Sequence, residues 1–257
     1  MLKKPLRILL IDDDEDDFII TQEIFEEIQY FDTSLDWVDH PDDALKQIQK
    51  AEHDLYLLDY HLGSINGLDV LKRALRMGAR APFIMLTGQG GRHVDIKAME
   101  SGAYDFLVKG QITPQILERS IRYALQHAKT VEALRSTVKL SSALLGALDK
   151  IASAVFIVDT TKTHQPIIYI NEPFQSHYGF TRQEALGRSW HSLLDTNGSM
   201  QPLREAIMMS EQFSGSFTHG HPDYGAVHFD LNASPVRASN GLVNSFVFIA
   251  SPQSRAD

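Results

Sequence analysis

The sequence predicts three parts: an α/β domain with a doubly wound, five-stranded parallel sheet, a long linker helix, and an α+β domain with a five-stranded antiparallel sheet. Strand-like and helix-like segments alternate five times over residues 1–125 with short connections, which favours a parallel sheet with helices on both faces. Residues 114–148 contain no proline after the first position. Residues 149–252 contain a hairpin, a helical region and three further strand-like runs.

The first domain, residues 1–125, is built from short apolar runs that each precede a segment of helical periodicity. The predicted strands are LRILLID (6–12), SLDWV (34–38), DLYLLD (54–59), PFIMLT (82–87) and AYDFLVK (103–109). The predicted helices are residues 14–29, 42–50, 67–78 and 92–101. In such a sheet, ligands bind beyond the carboxyl ends of the strands.

Residues 114–148 predict one long helix that is continuous with the last helix of the first domain. At 1.5 Å per residue this helix is roughly 50 Å long. Apolar or small residues recur in a heptad rhythm with one irregular step between Val131 and Leu134, which indicates a parallel dimeric coiled coil. The alternative is two helices that each pack on their own domain. The seam is Leu117, Ile121, Ala124, Ala128, Val131, Leu134, Val138, Ser141, Leu145 and Leu148.

The last part, residues 149–252, begins with AVFIVD (154–159) and PIIYIN (166–171), which a polar stretch separates as in a hairpin. The three later strands are SGSFTH (214–219), AVHFDLNASPV (226–236) and VNSFVFIA (243–250). Alternation predicts one core-facing set: Phe156, Val158, Ile168, Ile170, Phe217, Phe229, Leu231, Phe246 and Phe248.

The composition excludes several classes of function. The chain has no cysteine, so disulfides, thiolate zinc sites and thiol catalysis are excluded. Its net charge of −9 argues against direct nucleic-acid binding, which normally needs a basic face. No stretch approaches the ~20 apolar residues of a membrane helix. We therefore expect a soluble, cytoplasmic protein.

Five polar residues follow the predicted strands: Asp12, Asp13, Asp59, Thr87 and Lys109. Each alone has an ordinary explanation, such as a helix cap or a solvated lysine. Together they meet at one edge of the sheet, where two carboxylates about 4 Å apart repel by roughly 4 kcal/mol at an effective dielectric of about 20. With oxygen ligands only, Mg²⁺ is the expected counter-ion. The pattern predicts a site for phosphoryl transfer by positioning and charge.

The motifs ILLIDDD, LYLLDYHL, FIMLTG and FLVKG resemble the receiver domains of bacterial two-component response regulators, over residues 5–125. The resemblance implies that Asp59 accepts a phosphoryl group from the phosphohistidine of a sensor histidine kinase or phosphotransfer protein. It also implies that Asp13, Asp59 and the backbone carbonyl of His61 bind Mg²⁺ directly, and that Asp12 binds it through water.

The same resemblance implies that Lys109 and Thr87 bind the phosphoryl oxygens. Thr87 and Phe106 occupy the switch positions of that family: the hydroxyl moves towards the phosphoryl group and the ring turns inward. The alternative is that Phe106 is an ordinary residue of the core. His61 and Gln89 lie at positions that tune the phosphate lifetime in this family.

The segment IIYINEPFQSHYGFTRQEALGRSWHSLL resembles a PAS domain, through Asn171, Phe174, Gly179, Phe180, Glu184, Leu186 and Gly187. Trp190 stands where flavin-binding light sensors of that family carry their reactive cysteine, so a cysteinyl photoadduct is excluded. His177, His191, His219 and His221 are weak candidates for haem ligands and are expected to be surface residues. We predict that this domain holds no cofactor.

These features favour a phosphorylation-controlled signalling protein in which the receiver acts through the coiled coil of a homodimer on the PAS domain. A different interpretation is the regulatory part of a larger cyclic-di-GMP synthase or phosphodiesterase, because receiver–PAS pairs often precede such enzymes. A third interpretation is a ligand sensor with a vestigial receiver. The complete acidic site disfavours this interpretation. The residues present carry no motif of an output enzyme, so no output activity is assigned to them.

Overall fold

A computed structural model describes residues 5–88, 99–195, 199–221 and 225–253 of the chain. The chain divides into two compact units, Met1–Ser136 and Thr137–Asp257. The predicted helix 92–101 lies largely outside the described residues, as does Gln89.

The first unit contains the predicted five-stranded parallel sheet. Its strand order is β2-β1-β3-β4-β5, and every neighbouring pair is parallel. The strands are β1 (Leu6–Ile11), β2 (Thr33–Val38), β3 (Leu55–Asp59), β4 (Phe83–Thr87) and β5 (Asp105–Val108). Among the described residues, three shorter helices accompany them: α1 (Glu15–Glu26), α2 (Pro41–Lys50) and α3 (Gly67–Arg76).

The sheet is covered on both faces, which explains why its central strands are apolar at successive positions. On one face Leu9 joins a core that includes Ala44 of α2 and Leu71 of α3. On the other face Leu10 joins a core with Phe25 of α1 and with Leu117 and Ile121, which belong to the long helix that follows β5. All the side chains of β3 and β4 are buried. The doubly wound class is confirmed.

The next helix, α4 (Pro114–Leu148), is a single helix of 35 residues. The expectation of one seam from Leu117 onward is wrong for its first turns. Leu117, Ile121 and Ala124 are at most 3% exposed and belong to the core beneath the sheet, so they are not available to a second chain. Residues 133–147 are all exposed. The residues of the heptad rhythm are therefore buried in the first unit at the start of α4 and exposed from residue 133 to residue 147.

The second unit contains a five-stranded antiparallel sheet of order β8-β9-β10-β6-β7. Its strands are β6 (Ala154–Asp159), β7 (Ile167–Ile170), β8 (Phe213–His221), β9 (Gly225–Arg237) and β10 (Val243–Pro252). In the part of the segment between β7 and β8 that the structure describes there are four helices: α5 (Glu172–Tyr178), α6 (Arg182–Ala185), α7 (Trp190–Leu194) and α8 (Gln201–Met209). The α+β layout is confirmed.

Aromatic rings fill much of the core of the second unit. Phe156 stacks on Phe248 at 4.4 Å between ring centroids, and Tyr178 stacks on Phe229 at 4.8 Å. One predicted core residue is wrong, because Ile168 is 52% exposed. The pairing of β6 with β7 shifts register after Ile157, so strict alternation fails in this short strand.

Asn171 connects three backbone segments of the second unit and is fully buried. Its Oδ1 accepts hydrogen bonds from the backbone N–H groups of Val155 (2.8 Å) and Phe174 (3.1 Å). Its Nδ2 donates to the carbonyls of Leu148 (2.9 Å) and Ser153 (3.0 Å). All four hydrogen-bonding positions of the amide are used. The residue therefore caps α5 and also binds the C-terminal end of α4.

We predict that Asn171→Ala lowers the free energy of unfolding of the second unit by about 2–4 kcal/mol, because it leaves buried backbone groups without partners. Hydrogen–deuterium exchange of peptides from residues 152–251, compared with wild type, measures this. The exposed Asn232 of β9 provides a control, since Asn232→Ala should change stability by less than about 0.5 kcal/mol. Wild-type protection in Asn171→Ala would contradict the assignment.

Candidate functional site

The carboxyl ends of β1 and β3 bring three carboxylates together. Asp12 directly follows β1 and is fully buried, Asp13 is exposed, and Asp59 ends β3 with 5% exposure. One oxygen from each lies within 4.8 Å of the others. Within the part of the chain that the structure describes, this is the only such group of histidine or acidic side chains.

Lys109, which directly follows β5, places its ammonium group against this cluster. Its Nζ lies 2.7 Å from Asp12 Oδ2 and 2.9 Å from Asp59 Oδ2. It also lies 2.6 Å from Asp17 Oδ2, on the first turn of α1. The Lys109 side chain is only 17% exposed, so these ion pairs lie in a partly desolvated environment. One cation thus serves three carboxylates.

Burial and charge shift the pKa values of the site in opposing directions. Burial raises the pKa of Asp12 to about 6, although the hydrogen bond from Lys109 lowers it. Burial also raises the pKa of Asp59, against the effects of Lys109 and of the backbone N–H groups of His61 and Tyr60. Burial lowers the pKa of Lys109, but its hydrogen bonds to the carboxylates outweigh this and raise it overall. The site therefore favours additional positive charge.

Backbone contacts hold the acidic loop after β1 in place. Trp37 donates from Nε1 to the carbonyl of Asp12 at 2.8 Å, and its ring stacks on Phe18 of α1 at 4.9 Å. Gly63 donates its N–H to Asp13 Oδ2 at 3.0 Å. Asp14 caps α1 by accepting from the N–H of Asp16. These contacts orient two carboxylates that would otherwise repel each other.

Gly67, the first residue of α3, allows the chain after β3 to pass close to Asp59. A Cβ atom at position 67 would lie 1.9 Å from the carbonyl oxygen of Asp59, far inside contact distance. The N–H of Gly67 donates to the carbonyl of Tyr60 at 2.8 Å. Only glycine fits here. Its effect is to fix the backbone on both sides of the carboxylate.

The remaining predicted site residues surround this centre. Thr87 ends β4, next to β3, and is 1% exposed. Phe106 is half-buried on β5 and packs against the core on the α2–α3 side of the sheet. His61 is exposed, in a two-residue ladder of His61–Leu62 with Ile65–Asn66.

The residues of the centre fit a magnesium ion. Their donor atoms are carboxylate oxygens with no histidine or sulfur among them, which suits a hard cation. Asp59 Oδ1 is buried and accepts no well-formed hydrogen bond from the described residues. A buried carboxylate oxygen in that state needs a cation or a donor. Asp12, Asp13 and Asp59 are the side chains that would hold the ion.

Sequence reasoning missed Asp17 and Gly67. Asp17 belongs to an unbroken acidic run from Asp12 to Asp17, which gives no sign of which carboxylates turn towards the site. A signal for Gly67 was present, since a glycine at the first position of a helix needs a reason. That reason, contact with the backbone of Asp59, depends on the path of the chain after β3.

In the second unit, Trp190 is fully buried and donates from Nε1 to Gln165 Oε1 at 2.9 Å. His219 and His221 are 5% and 6% exposed, so the expectation that the histidines are surface residues is wrong for these two. His219 packs on the ring of Tyr178 at 5.1 Å. Burial lowers the pKa of His219, which favours its neutral form.

Comparison with known families agrees with this architecture. Residues 8–121 match the family model of the response regulator receiver domain, and residues 152–251 match a PAS domain model. The chain carries a receiver domain followed by a PAS domain. Both predicted resemblances are confirmed.

Three curated relatives illustrate the similarity of the receiver domain. The transcriptional regulatory protein DltR of Streptococcus agalactiae is 29% identical over 128 residues, which cover 50% of this chain and 55% of DltR. The cyclic di-GMP phosphodiesterase response regulator RpfG of Xanthomonas campestris is 29% identical, with coverage of 57% and 39%. The response regulator ArlR of Staphylococcus aureus is 26% identical, with coverage of 74% and 84%. The chain spans about half the length of the first curated relatives it matches.

Solved structures resemble the two domains separately. A CheY-like receiver domain from Methanospirillum hungatei is 23% identical, with a TM-score of 0.43 and coverage of 49% of this chain and 98% of that one. The LOV domain of a blue-light activated histidine kinase from Erythrobacter litoralis is 21% identical, with a TM-score of 0.37 and coverage of 40% and 98%. Among the described residues, no helix is both long and apolar enough to span a membrane.

We predict that Gly67→Ala destabilises the receiver domain by about 2 kcal/mol or more, because the added methyl group would have to displace the backbone of Asp59. Urea denaturation followed by circular dichroism measures this. Gly110→Ala is the control, since a Cβ at position 110 meets nothing within 4 Å. Equal stability of the two variants would show that the loop after β3 can shift to accommodate the methyl group without loss of stability.

Proposed function

We propose that this chain is a two-component signalling protein in which Asp59 accepts a phosphoryl group in a Mg²⁺-dependent reaction. The observation that carries the proposal is the buried Asp59 carboxylate, 2.9 Å from Lys109 and clustered with the carboxylates of Asp12 and Asp13. A nucleophile beside a fixed cation, in a site that needs further positive charge, suits transfer of an anionic phosphoryl group.

The reaction proceeds by attack of an Asp59 carboxylate oxygen on the phosphorus of a donor phosphohistidine. A P–O bond forms, the P–N bond breaks, and the donor imidazole leaves with the electron pair. Asp13, Asp59 and the carbonyl of His61 would hold a Mg²⁺ ion directly and Asp12 through water, and the ion would supply positive charge for this transfer. Lys109 and the Thr87 hydroxyl donate hydrogen bonds to phosphoryl oxygens. The donor is a sensor histidine kinase or a phosphotransfer protein.

The response to phosphorylation is assigned to Thr87 and Phe106. Thr87 ends β4, the strand that pairs with β3 and therefore lies beside Asp59. Phe106 pairs with Met85 across β4 and β5 and is half-buried, so its ring can gain further burial by turning inward. The two residues lie on adjacent strands, which couples the charge at Asp59 to the surface at β5.

We predict that Asp59→Asn abolishes labelling of the chain by radioactive acetyl phosphate with Mg²⁺, because the amide is a poor nucleophile and loses a metal ligand. Asp69→Asn, an exposed carboxylate on α3, is the matched control and should be labelled like wild type. EDTA should prevent labelling of both wild type and control. Stoichiometric labelling of Asp59→Asn would refute the assignment of the phosphoacceptor.

We further propose a parallel homodimer through the exposed part of α4. Residues 133–147 are exposed on every side, and an isolated helix of this length is marginal in water. Leu134 is 64% exposed, Val138 57% and Leu145 45%. These three residues continue the heptad seam, which a second copy of the chain would cover.

A second stripe on the same helix provides a test of the seam. Leu140 and Leu144 are 62% and 58% exposed and have the same spacing of four residues as Leu134 and Val138. They lie about 100° away around the helix from the seam. The two stripes are matched in size and exposure. Substitutions in each stripe therefore distinguish the loss of a specific interface from a general effect of reduced surface hydrophobicity.

We predict that Leu134→Asp with Val138→Asp gives a monomer that still accepts phosphate on Asp59, because the changes lie far along α4 from the receiver core. Leu140→Asp with Leu144→Asp should leave the dimer largely intact. Sedimentation or light scattering at tens of micromolar measures this. A monomeric wild type, or dissociation by both pairs alike, would exclude this seam as the dimer interface.

In this proposal the PAS domain receives the signal and holds no cofactor of its own. The stacked rings of Phe156, Phe248, Tyr178 and Phe229 occupy its interior, which supports a packed module. The alternative, a regulatory portion of a cyclic-di-GMP enzyme, is favoured by the match to RpfG, which covers 57% of this chain. In that case the enzymatic activity belongs to a further domain and not to these residues.

A further inference from the structure

Lys109 contacts Asp17 in addition to two carboxylates of the proposed metal site. Asp17 Oδ2 lies 2.6 Å from Lys109 Nζ, the shortest of the three contacts. Asp17 is outside the group of three carboxylates that could share a metal ion, and its side chain is 29% exposed. It therefore acts on Lys109 and not on the proposed ion.

Three carboxylate oxygens surround the ammonium group of Lys109, and the one from Asp17 accepts a hydrogen bond from it. An ammonium group has three N–H donors. Asp12, Asp17 and Asp59 each place one carboxylate oxygen within 2.9 Å of Nζ. A phosphoryl oxygen on Asp59 can be bound by Lys109 only if one of these contacts is released.

The contacts differ in how easily they are replaced. Asp12 and Asp59 belong to the cluster that a divalent cation would neutralise, so they can release Lys109 when that charge arrives. Asp17 lies outside the cluster, so the divalent cation would not neutralise its charge and its contact with Lys109 would persist. It also adds one unit of negative charge beside a site that must accept an anion.

We propose that Asp17 is a positioning residue that competes with the phosphoryl group for the ammonium of Lys109 and thereby limits the stability of the phosphorylated state. The inference rests on the proposed phosphorylation of Asp59. Removal of the Asp17 charge frees one donor of Lys109 and lowers the negative potential at the site. Both effects strengthen binding of a phosphoryl group.

The test is a calorimetric titration of the full chain with beryllofluoride, an anionic mimic of the phosphoryl group, at saturating Mg²⁺. Asp17→Asn should bind beryllofluoride more tightly by on the order of tenfold, the value of one charge-assisted hydrogen bond. Asp17→Glu, which restores the carboxylate, should return the affinity towards that of wild type.

Asp16→Asn is the matched control. Asp16 lies on the same turn of α1 and carries the same charge, but its side chain is exposed and no described residue pairs with it. This variant should bind beryllofluoride within about twofold of wild type, because only the general charge changes. Equal tightening in both variants would show a general charge effect and overturn the proposal.

A second measurement, without Mg²⁺, separates positioning from a merely structural ion pair. Urea unfolding of wild type, Asp17→Asn, Lys109→Met and the double variant forms a double-mutant cycle. Its interaction energy measures the contact between Asp17 and Lys109. Coupling together with tighter beryllofluoride binding supports the proposal. Coupling with unchanged or weaker binding overturns it, and so does absence of coupling. Wild-type protein that binds no beryllofluoride overturns the proposed function, and this inference with it.

Discussion

The arrangement of the receiver domain depends on one ammonium group among four carboxylates. Asp12, Asp13 and Asp59 lie at the carboxyl ends of two adjacent strands and Asp17 on the first turn of α1, and the ammonium of Lys109 pairs with Asp12, Asp17 and Asp59. Neighbouring carboxylates at such distances repel by several kcal/mol, and Lys109 offsets only part of this. The buried strands on both sides of the sheet supply the stability that holds the groups together. The remaining negative charge favours additional positive charge at this edge of the sheet.

The sequence was sufficient to predict the residues at the strand ends, because a parallel sheet with alternating helices places those ends at one edge. It was not sufficient to predict Asp17. Six consecutive acidic residues begin at Asp12, and only the orientation of the first turn of α1 turns one of them towards Lys109. Gly67 was missed for a similar reason, since its constraint is a contact with the backbone of Asp59. Both depend on three-dimensional positions that periodicity does not encode.

In the PAS domain, the sequence identifies motif residues and core positions, but their roles follow only from the structure. The sequence pattern identifies Asn171 as a motif residue, but its role follows only from the four backbone groups that it binds. Alternation assigns Ile168 to the core, yet this residue is exposed because a register shift breaks the two-residue period. Short edge strands are where alternation fails first.

The irregular heptad step between Val131 and Leu134 has a structural explanation that the sequence alone could not supply. Up to Leu125 the apolar face of α4 packs on the receiver domain, and Glu132 further along pairs with Arg80 at 2.6 Å. From residue 133 onward the helix is exposed. The break therefore separates a register that serves the core from a register available to a second chain. At its far end α4 is held by Asn171 through the carbonyl of Leu148. Packing thus holds the start of α4 and a hydrogen bond holds its end, while residues 133–147 between them are exposed.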